Sequence, residues 1–249
     1  MFPERGAVSY PVDHTLADLV GRQYRQWERA RRSAASETPR PCIALSRLPG
    51  SGATEIGQRL ADRLGYAFFG IELVDHIARR AGLRRELVAD VDEHVRGTID
   101  RYVADGLRRE RFTESEYARH LVATLATLGE RGAAVILGRG ATFILPPERA
   151  LRVLLVAPRD ARIEALSKRE GVGPAQAARR LEALDAERLE FLTHHFGSDP
   201  DDPTRYDACV NTAALGREGA VDVVLAALRA RFGDAATPAL AALAARPAG

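Results

Sequence analysis

The chain has 249 residues, enough for one domain with appendages and a sizeable core, and its apolar (46 %) and charged (28 %) fractions are those of an ordinary soluble globular protein. A formal charge of +2 gives no global case for nucleic acid or a membrane surface as partner, and no apolar run reaches the ~20 residues a membrane helix needs. Cys42 and Cys209 have neither metal-ligand spacing nor the number a disulfide framework requires, so both are expected as small buried residues of strands.

Residues 1–12, with Pro3, Gly6 and Pro11, read as an irregular arm, and Met1 to Gly21 holds no signal-peptide apolar block, so the cytoplasm is the expected compartment. Leu16, Leu19, Val20, Tyr24 and Trp27 recur at helical spacing, opposite a basic face of Arg22, Arg25, Arg29, Arg31 and Arg32. This helix packs on the domain or on a twin subunit, which leaves a homo-oligomer open. The division expected is an arm and basic helix over 1–40, a main domain over 41–232 and a loose Ala/Pro-rich tail over 233–249.

At Pro41 the chain changes character. Cys42 to Ser46 is a short buried strand, Arg47-Leu-Pro-Gly-Ser-Gly52 a breaker-rich loop, and Ala53 opens a helix whose inner face is Ile56, Leu60 and Leu64, stopped by Gly65. Further strands are expected at Tyr66–Phe69, Ala134–Leu137, Leu151–Val156 and Ala208–Asn211. Helices are expected over Ile71–Arg80, Arg85–His94, Glu114–Gly132, Asp160–His195 with a break at Gly171-Val-Gly-Pro174, and Gly219–Phe232. Short apolar strands alternating with helices imply a parallel, about five-stranded sheet covered on both faces, with ligands at the carboxyl ends of the strands.

The loop Gly50-Ser51-Gly52-Ala53-Thr54 carries the strongest chemical signal. Glycines let backbone N–H groups turn inward around an anion, and the following helix N-terminus favours negative charge. Against the pattern G-x-x-x-x-G-K-[ST], Arg47 stands at the first glycine and Ala53 at the lysine, whereas Thr54 keeps the hydroxyl that reaches Mg²⁺. An ordinary Gly-rich strand-to-helix turn is the alternative.

Several segments, in order, resemble the cytidylate kinase-like family. They are Ser46-Arg47-x-Pro49-Gly50-Ser51-Gly52, Glu55-Ile56, Leu60-Ala61, Phe68-Phe69, Glu72-Leu-Val-Asp75, Ile77-Ala78 and Val135-Ile-Leu-Gly-Arg-Gly-Ala141. The run continues with Ala157-Pro158, Arg162, Asp185-x-x-Arg188, Asp202-Pro203, Tyr206-Asp207 and Asn211-Thr212. The resemblance implies a three-layer α/β P-loop NTPase fold with a helical lid at about 160–200. It implies ATP and Mg²⁺ as cofactors, small-molecule nucleotides as partners, and phosphorylation of a nucleoside monophosphate, CMP or dCMP first.

On that reading Gly50, Ser51, Gly52, Ala53 and Thr54 hold the donor phosphates, Thr54 meets the metal, and Arg162, Asn211 and Thr212 lie by the adenine. Glu72, Asp75, Arg139 and Asp185 bind the acceptor, and Arg139, Arg188, Arg180 and Arg47 supply catalytic charge, Arg47 as a substitute for the missing lysine. Cytidylate kinase proper has an Asp directly after the arginine matched by Arg139, where it contributes to cytosine recognition; here Gly140 stands in its place. Asn211 equally suits a helix cap, and many of the arginines suit exposed i,i+4 pairs. Two further readings follow from the residues: a non-catalytic nucleotide binder acting as sensor or scaffold, because Ala53 replaces the lysine, and an interaction module built on the N-terminal basic helix. His194-His195 has no third ligand near in sequence and is read as structural.

Overall fold

The computed structural model describes residues 40–79, 97, 115–197 and 199–233. The expected N-terminal arm and helix, the helix over Arg85–His94, most of the stretch 96–112 and the tail from 234 onward lie outside the described residues.

Five parallel strands form one sheet in the order β2-β3-β1-β4-β5: β1 Cys42–Arg47, β2 Ala67–Phe69, β3 Ala134–Leu137, β4 Ala150–Val156 and β5 Ala208–Asn211. In β1 alternate side chains face opposite layers, as the two-residue strand period requires. Cys42 and Ala44 join one apolar cluster and Ile43 and Leu45 the other.

The second cluster is roofed by α1 (Ala53–Leu64) and α7 (Thr212–Phe232), through Ile56, Leu60, Val221, Val224 and Leu228. The first is roofed by α2 (Ile71–Arg79), α3 (Glu116–Arg131) and the single turn α4 (Ala141–Ile144), through Val74, Ile77, Leu121, Leu125, Leu128 and Ile144. Two helical layers therefore enclose the sheet, as the alternation of elements predicts.

The terminators work as their chemistry suggests. Gly65 closes α1 in the left-handed conformation, and Ser115 Oγ accepts from the Ala118 amide at 3.1 Å to open α3 two residues later than expected. Between α5 (Arg159–Glu170) and α6 (Pro174–Phe196), Gly171 caps the first helix and Pro174 opens the second. The two helices share their own small apolar cluster of Leu166, Ala177 and Leu181, while Leu192 and Phe196 at the far end of α6 reach the first core.

Two expectations are corrected. Cys209 is exposed, on the strand that ends the sheet among the described residues; Cys42 is fully buried as expected. The last helix starts at Thr212 instead of Gly219: Asn211 Oδ1 caps a first turn, and the chain bends at Gly216 (φ 68°, ψ 178°) before continuing. Gly216 is what makes the preceding turn read as irregular in sequence.

Candidate functional site

β1 and β3 are neighbours, but the helices that follow them leave to opposite layers, α1 to one and α4 to the other. That divergence marks the carboxyl ends of β1 and β3 as the place where an open parallel sheet holds its ligand.

One wall is the glycine loop. Gly50 (φ +84°) and Gly52 (φ +76°) take left-handed backbone, and Gly52 heads α1 without any capping side chain. The first-turn N–H groups of α1 thus point outward with the positive end of its dipole behind them. Ser51 is buried and its Oγ has no hydrogen-bond partner, a polar atom left ready within the loop. Thr54 is exposed at the first turn; Ala53 is only 3 % exposed and contributes a methyl group to the core.

The loop is tied down from two sides. Thr212 Oγ1 lies 2.9 Å from the Ser51 carbonyl and 3.2 Å from that of Val156, so the start of α7 is fixed to the loop. Behind it, Arg162 Nη1 donates to both oxygens of Asp185, at 2.9 and 3.0 Å, and to the Pro49 carbonyl at 3.4 Å. Arg162 and Asp185 therefore brace the loop from α5 and α6. Asn211 spends its side chain on capping α7, which is the second of its two sequence readings.

The other wall is Gly138-Arg139-Gly140, three successive positive-φ residues that turn β3 into α4. Arg139 Nη2 donates to Asp75 Oδ2 at 2.6 Å, its guanidinium lies over the Phe191 ring at 4.7 Å, and its Nε is buried without a partner. The Tyr117 hydroxyl donates to the other Asp75 oxygen at 2.7 Å. Burial and that hydrogen bond to Asp75 push the Tyr117 hydroxyl well above its usual range, keeping it a donor. Asp75 thus aims Arg139. A side chain at position 140 would meet the Phe196 ring at 2.2 Å, so the space an acid would need there is filled.

Arg47 completes the charge. Burial lowers its proton affinity first, and the nearby guanidinium groups of Arg188, Arg139 and Arg169 lower it further against the opposing carboxylate of Glu72. Arg188 is anchored by Asp201 at 2.9 Å and by the Pro200 carbonyl at 3.2 Å. Arg47 thus lies within the electrostatic reach of Arg139, Arg188 and Glu72, whereas Arg180 lies exposed on α6. Sequence reasoning missed Tyr117 and Phe191 as the supports of Arg139. It also missed Arg217, whose Nε lies 3.8 Å from where a Cβ on Gly52 would sit and which pairs with Glu55. The signal available for Arg217 was its place directly after a glycine just beyond the last strand.

The family model of the cytidylate kinase-like family matches residues 42–214, more than half of the chain. The chain belongs to the cytidylate kinase-like family. The proteins named cytidylate kinase from Methanopyrus kandleri and Halobacterium salinarum are both 26 % identical to this family member. The alignments span 197 and 193 residues, 75 % and 76 % of this chain, and 92 % and 89 % of the relatives. A solved structure of an uncharacterized protein from Eubacterium ventriosum is similar at TM-score 0.54 and 19 % identity, with 77 % of this chain and 99 % of that chain covered, a likeness of fold. The five-stranded parallel sheet between helices and the phosphate-type loop give this member of the family a three-layer α/β P-loop fold.

Proposed function

We propose that the chain transfers the terminal phosphoryl group of ATP to a nucleoside monophosphate, with CMP or dCMP the first acceptor to test. The observation that carries this reading is an uncapped glycine loop at a helix N-terminus, with Arg47 in it under the electrostatic influence of Arg139 and Arg188. Phosphoryl transfer asks little covalent chemistry of a protein and much positive charge and positioning. Family membership and the names of the relatives support a nucleotide kinase.

Backbone N–H groups of Gly50 to Thr54 and the α1 dipole hold the donor phosphates. Arg139, oriented by Asp75 and Phe191, holds the acceptor phosphate. An oxygen of that phosphate forms a bond to the γ-phosphorus as the bond to the β,γ-bridging oxygen breaks, and the electron pair leaves with ADP. Arg47 and Arg188 offset the charge on the migrating group. Among the described residues no cluster of three or more His, Cys, Asp or Glu side chains is suited to a metal. The residues fit a Mg²⁺ carried on the nucleotide phosphates and waters with the exposed Thr54 hydroxyl as protein ligand, where it would neutralise phosphate charge. The acceptor side is open in one respect: with Gly140 and Phe196 where an acid would stand, base selection falls to other groups.

Ala53 favours a second reading, nucleotide binding without turnover, since its buried methyl supplies no charge. Radiolabelled phosphate transfer from ATP to a panel of monophosphates separates the two. Turnover that falls about 10²–10³-fold in Arg188→Ala is expected of a kinase. Nucleotide binding without transfer, indifferent to Arg188→Ala, sinks the kinase reading.

A further inference from the structure

The geometry points to Arg217 as the residue that supplies the phosphate-facing charge missing at Ala53, with Glu55 holding it in reserve until nucleotide arrives. This inference rests on the nucleotide-kinase reading and deepens it. Two features place Arg217. Thr212 fixes the start of α7 to the carbonyl of Ser51 at 2.9 Å. The bend at Gly216 then turns the next residue back over the loop. As a result the Arg217 Nε lies beside Gly52, 3.8 Å from the point where its Cβ would be, at the mouth of the α1 N-terminus.

The company Arg217 keeps fits this role. Its ion-pair partner Glu55 occupies the first turn of α1, so both contend with the same end of the helix, the carboxylate as a stand-in for an anion there. The two side chains are 54 % and 56 % exposed, and an ion pair so open to water is weakly held. A nucleotide polyphosphate carries more charge than a carboxylate and sits on the same N–H groups, so it displaces Glu55 and keeps Arg217. The buried Ser51 Oγ without a hydrogen-bond partner is a second, independent mark of a loop waiting for a ligand.

Calorimetric titration of the full chain with ATP, beside saturation-transfer NMR with adenosine as the probe without phosphate, tests the assignment. Arg217→Ala is expected to weaken ATP by about tenfold or more and adenosine by less than about twofold. Glu55→Gln is expected to tighten ATP by about threefold, an effect that damage to the fold cannot imitate. If the unaltered chain binds no ATP, the nucleotide-kinase reading fails and takes this inference with it. If the unaltered chain binds ATP but Arg217→Ala binds it equally well, or loses ATP and adenosine together, the inference alone is overturned. A Glu55→Gln chain with unchanged melting and no gain in ATP affinity overturns it too.

Discussion

Gly50 shows how closely single atoms set this site. Its φ of +84° is costly for any residue with a Cβ, and that Cβ would stand 2.8 Å from the Arg162 carbonyl oxygen and 2.9 Å from the Arg162 Cβ. Neither is the free end of a flexible chain, so α5 or the loop has to move. Gly50→Ala is expected to lower stability by about 2 kcal/mol or more, a fall in melting temperature of roughly 4–8 °C, and to cut turnover with it. A melting temperature within a degree of the unaltered chain contradicts this account. Sequence showed that position 50 needed glycine, because a phosphate loop does; it did not show that the requirement is shared with α5. Likewise Arg162 and Asp185 carried a family-like pattern, but a motif records which residues occur and not whether they face the ligand or brace the loop beneath it.

Elements were legible where a periodic apolar face met a clear terminator. β1, α1 with its Gly65 stop, β3 and β5 fall where the pattern put them. The start of α7 was hidden because Gly216 breaks the helical reading, although Asn211 caps a turn before it. The joint between β4, β5 and α7 was also partly hidden, and it rests on one carboxylate. Asp207 accepts from the Arg152 amide at 2.8 Å, from Arg152 Nη2 at 2.9 Å and from Arg231 Nη1 at 2.5 Å. Burial pushes its proton affinity up, but the Arg152 hydrogen bonds and the two positive charges outweigh that and hold it below the ordinary 3.8. A carboxyl depressed on folding contributes stability that is whole above the ordinary value and is lost as pH falls through the lower folded one. Urea unfolding across a pH series is expected to show this loss below about pH 4, and Asp207→Asn to lower stability at pH 7 by about 2 kcal/mol while flattening that acid limb. An unchanged acid limb in the variant removes Asp207 as its source.

Across the whole molecule, two apolar clusters are divided by the sheet and share its central strand. Cys42 sits in that strand at 0 % exposure, with Sγ 3.5 Å from the Leu128 carbonyl, and burial pushes its thiol up to about 12. Cys209 lies exposed on β5. A thiol reagent at neutral pH is therefore expected to label Cys209 readily and Cys42 only when both layers part, so that Cys42 labelling reports opening of the entire domain. Labelling of both at similar rates in the native protein contradicts a single cooperative sheet. The contact between Gly50 and Arg162 also has a mechanical side. The root of the α5–α6 hairpin rests on the glycine loop, while its turn at Gly171 to Pro174 lies one helix length away. The rise of α5 from Arg162 to Glu170 makes a lever of roughly 12 Å, so a tilt of roughly 20° carries the tip about 4 Å and its base hardly at all. On the proposed nucleotide-kinase reading the glycine loop is the fulcrum of that lever, and a nucleotide settling there is expected to change the angle at which the hairpin stands.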